Sequence, residues 1–149
     1  MRTNKRGLEL IKEFEGLRLK PYLCSADVPT VGYGSTFYEN GNKVSLYDKP
    51  ISRARAEELL INTITHFEKQ LYPILSGLML NDNQFSALVS FTFNVGVANF
   101  KKSTLLKIIR ENPNDKDITE QFLRWNKANK KELPGLTRRR QAEAKLYFS

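Results

Sequence analysis

Three side chains near the start of the sequence have the types and spacing to do chemistry together. Glu15 is a carboxylic acid, Cys24 follows it nine residues later, and the hydroxyl of Thr30 lies six residues further on. Glu15 comes after Leu8, Leu10, Ile11 and Phe14, apolar residues at roughly helical spacing, so it sits partly against apolar surface. Partial burial penalises the charged form of a carboxylate, which is what a general acid near neutral pH needs. Acid-assisted cleavage of a glycosidic bond uses such a proton donor and a second group across the sugar that positions or deprotonates a water. Cys24 and Thr30 are candidates for the second group, and the link Gly16–Leu23 can fold them back opposite Glu15. A structural reading stands beside this one: Glu15 a solvated helix end, Cys24 a small buried hydrophobe.

The surrounding pattern says how these residues are held. Thr3 or Asn4 caps a first helix running to about Phe14, and Gly16 ends it. From Leu17 to Val44 helical periodicity is lost, and prolines, glycines and β-branched residues take over. Asn40-Gly41 is a turn pair between Thr36–Tyr38 and Lys43–Leu46, which predicts a small antiparallel sheet of two or three strands. Such a sheet would hold Cys24 and Thr30 on rigid backbone.

The same stretch resembles the active-site segment of the bacteriophage-type lysozymes, or endolysins. Their pattern of Glu, eight residues, Asp or Cys, five residues and Thr falls on Glu15, Cys24 and Thr30 without insertion. The flanking runs E-G-L-R-L-K-x-Y from Glu15 and T-x-G-Y-G-x-T from Thr30 are also similar to the family. So are F-x-F-N-x-G on Phe91, Phe93, Asn94 and Gly96, and G-L-x-x-R-R-x-x-E from Gly135 to Glu143. The resemblance covers most of the chain. It implies a mostly helical α+β, lysozyme-like fold. A small lobe at about 15–50 carries a short sheet, a long helix connects it, and a helical lobe at about 52–149 packs the N-terminal helix and completes a cleft. It implies inverting hydrolysis of the β-1,4 bond between N-acetylmuramic acid and N-acetylglucosamine in peptidoglycan. Glu15 is then the general acid, and Cys24 and Thr30 hold the water. Thr36 and, from the G-V-A-x-F run ending at Phe100, Ser103 are the implied substrate contacts. Host lysis is the implied purpose, with no cofactor and a monomeric enzyme.

Alternatives stay open at this point. Asp27, three residues past Cys24, can supply the second carboxylate if the loop is arranged differently. A lytic transglycosylase would need Glu15 alone and would leave 1,6-anhydro ends. A wall-binding module without turnover and a basic nucleic-acid-binding protein are the non-enzymatic readings.

Composition narrows the field. The chain has 149 residues, 40% of them hydrophobic, with nine Phe, six Tyr and one Trp, enough for a real core. One Cys allows no intramolecular disulfide, and one His makes a zinc site improbable. Net charge is +8. Ordinary solubility, nucleic acid and an anionic envelope all fit that charge, but no nucleic-acid-binding signature accompanies it. The N-terminus has no signal-peptide core and no apolar run is long enough to span a bilayer, so the expectation is synthesis in the host cytoplasm and action on the wall after a separate membrane lesion.

The rest of the chain reads as helices. Ser52 caps one of roughly twenty residues, with Ala56, Leu59, Leu60, Ile64, Phe67 and Leu71 inward and Pro73 as its limit. Asn81 and Gln84 resemble a capping box before a buried helix from Gln84 to Asn94. Ser103 or Asn99 caps a helix through Arg110, and Asp117–Asn129 predicts another, with Trp125 in the core. Thr137 starts the last helix, on which Arg139 and Glu143 are expected to pair on a solvated basic face.

Overall fold

The computed structural model describes every residue from Met1 to Ser149. Its elements are α1 (Lys5–Glu15), β1 (Arg18–Leu23), β2 (Pro29–Gly32), α2 (Arg53–Ile74), α3 (Asp82–Val95), α4 (Val97–Lys102), α5 (Thr104–Glu111), α6 (Ile118–Leu123), β3 (Lys127–Ala128), β4 (Lys131–Glu132) and α7 (Pro134–Tyr147). The backbone compacts into two units, Ile11–His66 and Met1–Leu10 with Phe67–Ser149.

In the unit Ile11–His66, β1 and β2 form an antiparallel hairpin with Tyr22 opposite Thr30 and Leu23 opposite Pro29. The apolar centre is Val31, Val44 and Leu59, with Tyr38 and Ile51 packed on it. Gly32, at φ 69°, lets β2 run close to α2, because a Cβ there would lie 3.2 Å from Cβ of Ala56. Ser52 caps α2 as expected, its Oγ accepting from the Arg55 N–H at 3.1 Å. The expected pairing of Thr36–Tyr38 with Lys43–Leu46 shrinks to one bridge, Phe37 with Lys43. The ladder stops because the Ser45 N–H donates to the Asp48 carboxylate at 2.9 Å instead of to a strand.

In the other unit, Asn4 takes the cap of α1: its Oδ1 accepts from the Gly7 N–H at 3.0 Å. The capping box of α3 is present on Asn81 and Gln84. Around α3 lies an aromatic group, in which Phe91 meets Phe100, Phe122 and Trp125 edge-on at 6.0, 5.5 and 5.8 Å. Three expectations are corrected here. The helix over Asp117–Asn129 ends at Leu123, and the chain turns back as the ribbon β3–β4, since Asn129 and Lys130 both adopt left-handed φ. Spacing alone could not tell a helix from one turn followed by a hairpin. The last helix begins at Pro134, which needs no N–H partner in a first turn, and the Thr137 hydroxyl accepts from Asn126 Nδ2 at 3.1 Å.

The third correction concerns Arg139, Arg140 and Glu143, which form no solvated face: all three are buried. Arg139 Nε and Arg140 Nε lie 3.3 and 3.2 Å from the two Glu143 oxygens. Ser90 Oγ donates to Glu143 at 2.6 Å, Arg139 Nη2 donates to the Ser90 carbonyl at 3.1 Å, and Arg140 Nη2 donates to Asn94 Oδ1. Burial pushes the Glu143 carboxyl up, against the pull of Arg140 and then Arg139. Two guanidinium groups face this carboxyl, and they are what makes its burial tolerable.

Candidate active site

Glu15 is the last residue of α1 and is half-buried. Gly16 stops the helix there, at φ 72°, with its N–H still donating to the Lys12 carbonyl at 3.0 Å. The chain then enters β1 two residues later, at Arg18. Lys12, one turn before Gly16, is tied down by Glu57 at 2.9 Å and lies 5.5 Å from the Tyr33 ring.

Cys24 follows directly on β1, and its thiol is free and half-buried. The turn beyond it is tight. The Cys24 N–H donates to the Val28 carbonyl at 3.0 Å, and the Asp27 N–H donates to the Cys24 carbonyl at 2.9 Å. Asp27 closes it at φ 59°, the left-handed position of a three-residue hairpin loop. Thr30 stands on β2, 2% exposed, its hydroxyl donating to the Val28 carbonyl at 2.8 Å. Cys24 and Thr30 are thus fixed on the two arms of one hairpin. Asp27 is exposed at its tip, engaged as a turn residue.

The electrostatics gather the same residues. Burial pushes the Cys24 thiol up, but the backbone N–H groups of Val28 and Ala26 and the Thr30 hydroxyl favour the thiolate, and the thiol is held below its ordinary value. The Thr30 hydroxyl has one proton, so the Val28 carbonyl and Cys24 Sγ compete for it. Tyr22 reports on its neighbours: burial pushes its phenol up, the charge of Glu15 pushes further, Arg18 pulls it down and Cys24 pushes it up. Its ring lies 4.3 Å from the Arg18 guanidinium.

Tyr22 is the member of this group to which the sequence reading gave no role. The signal was present, since Tyr22 stands two positions before Cys24 and shares its face of an extended strand. Of the two implied substrate contacts, Thr36 is half-buried in the same unit, its carbonyl accepting the Val44 N–H at 2.9 Å. Ser103 is in the other unit and is 4% exposed. Its hydroxyl caps α5 by accepting from the Leu106 N–H at 3.1 Å and donates to the Phe100 carbonyl at 2.7 Å. Among the described residues no group of three or more His, Cys, Asp or Glu is placed to hold a metal ion.

The helix α1 ends on an acid, and the chain runs on into a small hairpin that carries a thiol and a buried hydroxyl. The comparisons with known proteins say to which class of protein this fold belongs. The Phage lysozyme family matches residues 12–143. An endolysin of Acyrthosiphon pisum secondary endosymbiont phage 1 is 38% identical, over 100% of this chain and 99% of the relative. An endolysin of Bacillus phage B103 is 36% identical, and the chain spans 55% of it. Among solved structures, the endolysin from Escherichia coli O157:H7 phage FAHEc1 superposes with a TM-score of 0.86 at 32% identity, covering 100% of this chain and 94% of that one. A P22 lysozyme variant gives a TM-score of 0.82 at 34% identity, covering 100% and 99%. The chain belongs to the phage lysozyme family, and it is an endolysin of the muramidase type.

Proposed function

We propose that the chain hydrolyses the β-1,4 bond between N-acetylmuramic acid and N-acetylglucosamine, with inversion, using Glu15, Cys24 and Thr30. Glu15 donates its proton to the glycosidic oxygen as the bond from that oxygen to the anomeric carbon breaks. A water held by Thr30 and Cys24 attacks the anomeric carbon from the opposite face, and its proton passes to the Cys24 sulfur. Thr36 is a glycan contact in this scheme. Ser103 is left out of the scheme, because its hydroxyl is nearly fully buried, donates to the Phe100 carbonyl and caps α5.

The observation that carries the reading is the hairpin. On it Cys24 follows the strand whose Tyr22 stands opposite the buried Thr30, and hydrogen-bonding groups that include the Thr30 hydroxyl favour the thiolate. A transglycosylase, in which no water attacks, would leave both groups without the role proposed for them.

The test is Glu15→Gln. It keeps the side chain's size and removes the acid. Turnover of purified peptidoglycan should fall by about 10²–10⁴-fold with KM little changed, the range for loss of a positioned general acid. Turnover within about threefold of the parent would remove Glu15 from the mechanism.

A further inference from the structure

The ribbon β3–β4 is not used by the mechanism, yet it concentrates charge. Between Arg124 and Arg138 the sequence carries Lys127, Lys130 and Lys131 as well as those two arginines, against the single carboxylate Glu132. Every residue from Lys127 to Glu132 is exposed. Arg124 is answered in part by Glu120, at 3.5 Å on the surface of α6.

The ribbon is held firmly at its base. The Leu133 N–H donates to the Asn126 carbonyl at 2.9 Å, and Asn126 Nδ2 donates to the Thr137 hydroxyl of α7 at 3.1 Å. Lys127 stands opposite Glu132 and Ala128 opposite Lys131. At the tip, Asn129 and Lys130 have φ of 52° and 66°, the two positive angles of a type I′ turn. Glycine is the residue that the second of these positions favours, and a lysine there meets a steric penalty between its Cβ and the backbone. That lysine runs against the local preference of the turn and puts a charge at its tip.

We propose that this ribbon is a docking arm for the carboxylate-bearing peptidoglycan sacculus, holding the enzyme on its insoluble substrate. The inference rests on the reading of the chain as a wall hydrolase. Peptide stems on the glycan present many carboxylates with no fixed mutual geometry. Lysines suit them: each is a mobile point charge on a flexible stem that needs no fixed partner geometry, whereas arginine's planar fork favours a partner held for bidentate contact, and the ribbon itself carries no arginine. The attraction is long-ranged, weak per contact and screened by salt, which permits release after each cut.

The experiment measures binding of the full chain to purified peptidoglycan sacculi at low and high salt. It is done in the Glu15→Gln background, so that binding is read without turnover and independently of the proposed chemistry. The variant is Lys127→Gln/Lys130→Gly/Lys131→Gln, whose turn becomes Asn-Gly and folds at least as readily. Its control, Lys101→Gln/Lys102→Gln/Lys107→Gln, removes the same charge from exposed positions elsewhere. Near an anionic surface each lysine matters enough that the ribbon variant should bind sacculi at least about tenfold more weakly at low salt. The control should change by less than about threefold, and the gap should close at high salt. With the acid restored, KM on sacculi should rise while turnover of short soluble oligosaccharides is unchanged. Equal losses in both variants would overturn the proposal, as would parental binding by the ribbon variant. So would a defect seen with DNA or anionic vesicles but not with sacculi.

Discussion

At the residue scale the question is whether a thiol can do what a carboxylate commonly does. A cysteine titrating near ~8.5 is mostly neutral at pH 7 and would be a feeble base. The hairpin changes this locally, because N–H groups and the Thr30 hydroxyl favour the thiolate more than burial disfavours it. The sign follows: a thiol acid held below its ordinary value is ionised over a wider range toward neutral pH. Inactivation by an alkylating reagent should therefore rise with pH through a midpoint below that of a free cysteine measured alongside. A midpoint at or above that of the free cysteine would show that the hairpin does not favour the thiolate. Cys24→Asp, which keeps a base, should retain activity, and Cys24→Ser should lose most of it.

At the element scale the hairpin β1–β2 is the device that turns spacing into geometry. Its turn needs one residue in the left-handed region, and Asp27 supplies it. Asp27→Gly should leave activity within about twofold and the fold unchanged or slightly more stable, since glycine meets no steric penalty there. A large loss of turnover would mean that the Asp27 carboxylate acts in catalysis. Part of this element was legible in the sequence. The loss of helical spacing after Gly16 and the β-branched Val28, Thr30 and Val31 marked a small sheet, and the interval from Glu15 to Thr30 marked the candidate site, but the turn read from the sequence was Asn40-Gly41 and not the one at Asp27. What the sequence could not show was closure by distant partners. The lone bridge at Phe37 depends on the Asp48 clamp, which receives the Tyr38 hydroxyl at 2.6 Å from another turn. The ribbon at Lys127–Glu132 hid behind helical spacing, because Ile118, Phe122 and Trp125 are four and three apart in either geometry.

At the scale of the whole molecule, stability and chemistry rest on different charges. Arg139, Arg140 and Glu143 read as a surface run because charged residues are seldom buried. Their burial depends on Ser90, 53 positions from Glu143, and no local pattern announces such a partner. Glu143→Gln leaves two buried guanidinium groups without their counter-charge. It should cost about 3–5 kcal/mol in reversible denaturant unfolding. A cost under about 1 kcal/mol would show that the cluster is not the buried ion network described. Activity at low temperature should survive in the fraction that stays folded, because Glu143 takes no part in the proposed proton transfers.

The central claim is that a water, activated by the Cys24–Thr30 pair, is the nucleophile. Mass spectrometry of the fragments released from purified peptidoglycan in oxygen-labelled water tests it most directly. The account predicts reducing N-acetylmuramic acid ends carrying one labelled oxygen. Fragments one water lighter, ending in 1,6-anhydro sugars without label, would contradict it.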